Sequence, residues 1–325
     1  MQFLPLILGI AISLSVVDAA AQGGVSTYPT KPVRLVVGYA PGGIVDSVAR
    51  LLGTKLQEKW GQPVLVDNRP GASGGIGAEL VSRAAPDGYT LMLGINSMLQ
   101  APMLDSQLRY DLERDLAPVA LMLTSNYVLV SNPGMGVQNM AEFDAALRAA
   151  PQKYSYGSNG AGGTGHLYAD QLARQLKAAP VQIPFKGGGP PIVAELMGGR
   201  IDFSILDMFS PHGHIVSGSL KALAVTGSNR SPLYPSVPTF AETGHPGFEV
   251  EGWLAMFAPK NTPVPLLHRL AIDISVAMAQ PDVVEKVKAS GGEVHSSNPG
   301  ELAGRLKSDK LAWQKMISDA KLRPL

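Results

Sequence analysis

The 325 residues carry 27 Lys or Arg against 26 Asp or Glu, a formal charge of +1 with no basic run, which argues against a nucleic-acid partner. A hydrophobic share of 45% can fill the cores of two domains, while 36 Gly and 26 Pro point to many short elements joined by tight turns. Cysteine is absent, so disulfides, thiolate nucleophiles and cysteine metal sites are excluded.

The chain opens with an apolar run over residues 3–17. It is shorter than the roughly 20 residues that span a bilayer. It ends at "VDAAAQ", where Ala19, Ala20 and Ala21 offer a small-residue cleavage site. An export signal over residues 1–21, cut after Ala21, is expected, although no Lys or Arg precedes the run. No cysteine follows it, so no lipid anchor is expected, and the remaining protein should be soluble and periplasmic.

Next comes a strand, "VRLVVGYA" (33–40), then a helix that places Val45, Val48, Leu51, Leu52 and Leu56 on one face and stops at Gly61. "VLVDN" (64–68) and "TLMLGIN" (90–96) read as strands on either side of the helix 75–85. This β-α-β-α-β order predicts a parallel sheet with helices on both faces. After strands 116–123 and 127–132 the alternation restarts, with strands at "YSYGSN", "VQIPF", "DFSILD" and "LKALAVTG". A Pro-rich loop precedes the strand-like "FEVEGWLAMFAP", and the end is helical. The tail has too few strands for a third sheet and rejoins the first block. The expected fold class is α/β, with one discontinuous domain of residues 28–125 plus 250–325, a second of 126–249, crossovers near 124–127 and 246–250, and a hinged cleft between.

Several motifs suggest enzymes. Gly160, Gly162 and Gly165 spell G-x-G-x-x-G, yet the following strand ends at Phe185 and Lys186, where a dinucleotide site needs a ribose-binding acid. No cofactor is expected. Gly71 to Gly75 match the nucleophile elbow G-x-S-x-G, but Pro70 loosens the turn and no triad partner stands in a recognisable context. An exported serine hydrolase using Ser73 is the enzymatic alternative; otherwise no catalytic residue is assigned. His212 and His214 are two apart and share no helix face, so no metal site is read there.

One device does repeat. "YAPGG", "RPGASGG", "GSNGAGGTG" and "FKGGG" each end a strand and start a helix. Each would present backbone N–H groups at a helix N-terminus, where the dipole favours an anion. Tight βα turns alone explain any one of them. Four at the C-terminal edges of strands, where open α/β sheets bind ligands, point to an anion-binding cleft built from amides.

These loops carry a resemblance. "YPTKPVRLVVGYAPGGIVDSVARLL", "GQPVLVDNRPGASGGIGAELVSRAAPDGYTLMLG", "KYSYGSNGAGGTGHLYADQLARQL" and "VQIPFKGGGPPIVAELMGGRIDFSILD" resemble, in order, the substrate-binding receptors of tripartite tricarboxylate transporters, the Bug family. The resemblance implies a type II periplasmic-binding-protein fold, a small-molecule carboxylate as ligand, and the membrane subunits of the transporter, or a sensor protein, as partner. A monomer is expected. Carried over by position, the first loop is Tyr39, Ala40, Pro41, Gly42, Gly43 and Asp46, with Asp46 open to a capping or a ligand role. Ser97 would face the cleft. Ser158, Asn159, Gly163, Thr164 and His166 form the second-domain loop, with His166 open to packing instead. Asp207 would contact a ligand amine or hydroxyl, or bridge the hinge. The family often has Asn where this chain has Gly75, and Asn or a small residue where it has Met208. Met208 with Phe209 is expected to favour a less polar distal group on the ligand.

Overall fold

The structure, a computed structural model, describes residues 27–160, 162–186 and 188–319. The expected export signal lies outside them.

The first lobe is a six-stranded sheet. β1 (Val33–Val37), β2 (Val64–Asn68) and β3 (Thr90–Ile95) pair in parallel in the order β3-β1-β2. α1 (Ile44–Trp60) and α2 (Gly75–Ser82) cross between them. Val45, Val48, Leu52 and Leu56 are buried on α1, and Gly61 ends the helix in the left-handed conformation at φ 64°. β4 (Leu116–Ser125), β10 (Gly252–Pro259) and β11 (Gly292–Val294) complete the order β11-β4-β10-β3-β1-β2.

This sheet is mixed, where a parallel one is expected from its first three strands. β10 runs antiparallel to both β3 and β4. The reason is connectivity: β4 leaves toward the second lobe, so the returning chain re-enters at the same edge and must run the other way.

The second lobe repeats the plan. Its sheet is β7 (Val181–Pro184), β6 (Ser155–Ser158), β8 (Phe203–Asp207), β5 (Tyr127–Ser131) and β9 (Lys221–Val225) in that spatial order. β6 is parallel to β7 and β8, and β5 is antiparallel to β8 and β9. α5 (Met140–Ala149), α6 (Thr164–Leu176), α7 (Gly189–Met197) and α8 (His212–Val216) accompany it. Only Asn126 separates β4 from β5, and residues 226–251 make the return. The two crossings are tied together: Tyr127 N–H donates to Thr226 Oγ1 at 2.8 Å, and Asn126 Nδ2 donates to the Thr226 carbonyl.

Two helices in the first lobe have no amphipathic period in the sequence. α3 (Ser97–Leu104) contains Pro102, and α4 (Leu112–Asp115) is a single turn. Pro102 has no N–H for the Met98 carbonyl, and the Tyr110 hydroxyl takes that acceptor at 2.9 Å. The chain closes with α9 (Val264–Met278), α10 (Pro281–Ala289) and α11 (Pro299–Asp319). α11 packs on β4 and α3 in the first lobe and on α6 in the second.

Candidate functional site

Each Gly-rich loop leads from a strand end into a helix that starts on glycine. The N-caps are Gly43 for α1, Gly74 for α2, Gly163 for α6 and Gly188 for α7, and no side chain caps any of them. Asp111 caps α4 and Asn139 caps α5 through side-chain oxygens, while α3, α8, α9 and α10 also begin without a side-chain cap. The four glycine starts therefore keep first-turn N–H groups and the positive ends of helix dipoles available.

The loops of the two lobes meet. Ser73 Oγ donates to the Asn159 carbonyl at 3.4 Å, and Thr164 Oγ1 donates to Gln100 Oε1 at 2.9 Å. They border a cavity of about 60 Å³ that lies between the lobes. Tyr39, Gly43, Ile44 and Val45 line one side and Gly188, Gly189 and Asp207 another. Ile95, Leu123, Ile192, Leu206, Trp253 and Leu254 supply apolar walls. A second crevice shares Tyr39 and Asn159 with this cavity and reaches residues 71–74 and Lys186.

Of the residues expected at a ligand, Tyr39, Gly43, Asn159 and Asp207 line the cavity. The others do not line it and bond to the loops or to neighbouring side chains, which for Asp46 and His166 is one of the two roles left open by their positions. Asp46 accepts from Gly42 N–H at 3.0 Å, Asn68 Nδ2 at 3.0 Å and Arg50 Nε at 3.1 Å. Burial pushes its carboxyl up, but the hydrogen bonds from Arg50, Gly42 and Asn68 outweigh this and hold it below the usual carboxylate range. With both oxygens engaged, Asp46 fixes the first loop.

His166 does the same in the second lobe. Its Nδ1 accepts from Gly162 N–H at 3.0 Å, so that nitrogen is unprotonated. Burial lowers the imidazole's affinity for a proton, opposed in part by Asp170. Gly42 and Gly162 have φ of +88° and +73°, and each lies four residues before its clamp. The two loops are thus built alike, one held by a carboxylate and one by an imidazole.

Ser97 and Ser158 are buried and turned onto backbone, not onto the cavity. Ser97 Oγ lies 2.6 Å from the Tyr39 hydroxyl, and both reach the Ser73 carbonyl, at 3.0 and 2.9 Å. Two hydroxyl protons serve three contacts, tying the first loop to the second. Ser158 accepts from Gln182 Nε2 at 2.8 Å and donates to the Gly160 carbonyl at 3.3 Å. A buried hydroxyl must find partners, and here the loop carbonyls are nearest. Ala40, Pro41, Gly42 and Gly163 shape the turns without lining the cavity, and the Thr164 hydroxyl donates to Gln100 and also bonds the Tyr127 side chain.

Met208 is a further correction. It is fully buried in the second lobe's core and does not line the cavity, so it cannot set ligand polarity by contact. The apolar walls come instead from strand residues such as Ile95, Leu206 and Leu254, whose pattern in sequence is that of any core strand. Among the described residues no group of three His, Asp or Glu could hold a metal; His212 Nδ1 pairs with the Tyr234 hydroxyl at 2.9 Å.

The cavity's ionisable groups are few. Burial pushes the Tyr39 phenol far up and the Tyr127 phenol to about 12, so both act as neutral hydrogen-bonding groups. Burial also raises the Asp207 carboxyl, against the lowering effect of hydrogen bonds from Ser210. No Lys, Arg or His lines the cavity among the described residues.

Comparison with known proteins fits this architecture. The family model described as tripartite tricarboxylate transporter family receptor matches residues 48–322. Protein BugT of Bordetella pertussis is 35% identical over 318 residues, covering 97% of each chain. The periplasmic binding protein BugD superposes with a TM-score of 0.87 at 32% identity, covering 91% of this chain and 99% of its own. MatC of Rhodopseudomonas palustris, solved with bound malate, gives a TM-score of 0.84 at 30% identity, covering 89% of this chain and all of the other, 100%. The fold is that of a two-domain periplasmic binding protein, and the chain belongs to the tripartite tricarboxylate transporter receptor family.

Proposed function

We propose that this protein is an exported solute-binding receptor that captures a small carboxylate between its lobes and delivers it to the membrane subunits of a tripartite tricarboxylate transporter. Residues 28–125 with 250–325 form one domain of this receptor and 126–249 the other, and the receptor acts as a monomer after removal of residues 1–21. The observation that carries the reading is the start of α1. Gly43, Ile44 and Val45 present an uncapped helix N-terminus to an apolar cavity closed by both lobes. A charge-assisted hydrogen bond contributes about 1.5–3 kcal/mol, and micromolar affinity needs about 8 kcal/mol. Three or four such bonds, with water excluded by closure, reach that range without a cationic side chain. The malate-bound relative supports the ligand class.

Gly43 provides the test. An added Cβ there would lie 3.8 Å from Pro190, an ordinary contact, so a side chain is tolerated by the fold. A longer one, as in Gly43→Leu, fills the anion position. Titration calorimetry with malate, adipate and related carboxylates should find a ligand for the wild type and at least a hundredfold weaker binding in Gly43→Leu. Equal affinity in the folded variant would remove α1 from the site.

A further inference from the structure

One more contact joins the lobes, and it is made by a residue that the cavity does not use. Met208 follows Asp207, the last residue of β8, and is fully buried. Gly291 lies in the turn between α10 and β11 of the first lobe. A Cβ built on Gly291 would stand 3.0 Å from Met208 Sδ, 3.1 Å from Met208 Cβ and 3.0 Å from Leu233 Cδ2. Such separations are tighter than close-packed carbon atoms ordinarily keep, so the bare backbone of one lobe seats against Met208 and Leu233 of the other. Gly291 also has φ of +77°, which glycine adopts without steric cost. The turn is fixed within its own lobe. Gly291 N–H donates to the Lys288 carbonyl at 2.9 Å, and Ser290 Oγ donates to the Lys286 carbonyl at 2.8 Å.

Position gives this contact its role. Gly292 pairs with Ser125, and Asp207 pairs with Tyr127. Ser125, Tyr127 and Asp207 all line the cavity. Gly291 and Met208 therefore meet at the flank of the cavity, where the facing edges of the two sheets approach. Rotation that opens this flank parts them and wets an apolar side chain that is now dry. Methionine, unbranched and polarizable, fills such an irregular gap; the Asn or small residue that the family often carries at this position would not. We infer that Met208 is a latch between the lobes. Seated on Gly291, it raises the closed population and so strengthens every ligand by one common factor, without choosing among them. It is a positioning residue, acting through the lobe interface and not by touching the ligand. The inference goes beyond the carboxylate reading and needs only that a ligand is bound between the lobes.

The test reads closure and binding separately, with circular dichroism to establish folding. Small-angle scattering of unliganded Met208→Asn should give a larger radius of gyration than the wild type. Calorimetry with malate, adipate and glutarate should show each one that the wild type binds weakened by about tenfold, with their ratios unchanged. Should Met208→Asn fail to fold, Gly291→Asn carries the same test from the first lobe, since Asn accepts the left-handed conformation and its side chain wedges against Met208. The chain has no cysteine, so Met208→Cys together with Gly291→Cys can form one disulfide, which needs Cβ atoms about 3.5–4.5 Å apart. Oxidation of that pair should lower the radius of gyration below that of the reduced form. Unchanged scattering in folded Met208→Asn or Gly291→Asn overturns the inference, as does a disulfide that leaves the radius as it was. A loss confined to one carboxylate also overturns it, because Met208 would then act at the ligand. If no carboxylate binds the wild type, the carboxylate reading fails and scattering alone decides on the latch.

Discussion

Two side chains, Asp46 and His166, hold equivalent loop N–H groups with different chemistry, and the difference has a pH signature. Asp46 accepts as an anion and needs no particular protonation above the acid range. His166 accepts Gly162 N–H through Nδ1 and can do so only while that nitrogen carries no proton. Burial depresses its pKa below the ordinary 6.5, and Asp170, one turn along α6, is the charged group that opposes this. The sign follows. Above about pH 6.5 the imidazole is neutral in folded and unfolded chains alike, and the bond contributes fully. As pH falls from there toward the depressed folded value, the unfolded chain takes up the proton first, and stability declines. Urea unfolding at pH 7.5 and 5.5 should therefore show a larger loss for the wild type than for His166→Asn, which lacks the group. Equal losses would mean that His166 is not buried neutral.

At the scale of single elements, the turn between β2 and α2 is the most strained part of the cleft. Ala72 and Ser73 have φ of 49° and 52°, between Gly71 at 130° and Gly74 at 95°. A non-glycine residue in the left-handed region costs about 1–2 kcal/mol, and contacts from Tyr39, Ser97 and Asn159, with the Gly74-to-Gly71 bond, hold it there. Ala72 is exposed, so Ala72→Gly removes strain without removing packing. After the extra entropy of glycine in the unfolded chain, about 0.5–1 kcal/mol, the net gain should lie between zero and about 1.5 kcal/mol, a rise of about 2 °C in Tm at mid-range. A lower Tm by calorimetry would argue that Ala72 is unstrained. This turn also shows what a sequence discloses. Its glycines and its place between strand and helix are legible, because βα turns need them and the apolar runs on either side have strand and helix periods. Its coupling to Tyr39 and Ser97 is not, since those contacts span 34 and 24 residues of chain. α3 was hidden for a related reason: Pro102 and an almost wholly buried surface erase the amphipathic period. The sequence does not separate the two roles of Asp46 or of His166, because a residue three into a helix can face either the loop or a ligand, and only the turn's geometry decides.

For the whole molecule, the question is what keeps the lobes together. Behind the crossings the join is apolar: the Trp313 and Tyr168 rings lie 5.3 Å apart, and the Tyr168 hydroxyl donates to the Val250 carbonyl at 2.6 Å. One turn earlier on α6 the join is polar. Thr164 bonds Gln100, the Tyr127 hydroxyl bonds Asn96 Oδ1 at 3.1 Å, and all four side chains are buried. Among the described residues neither Asn96 Nδ2 nor Gln100 Nε2 has a hydrogen-bond partner. A buried polar group left unpaired costs about 1–3 kcal/mol. Thr164→Val keeps the shape and removes the hydroxyl that bonds the Gln100 and Tyr127 side chains, adding a penalty of the same size. Each 1.4 kcal/mol shifts an equilibrium tenfold, so closure should weaken by about ten- to a hundredfold. Small-angle scattering of the unliganded variant should give a larger radius of gyration than the wild type, and ligand affinity should fall in proportion to the lost closed population. If scattering and affinity both match the wild type in a variant of unchanged fold, the Thr164–Gln100 contact does not govern closure, and the apolar contacts between the lobes must set the balance.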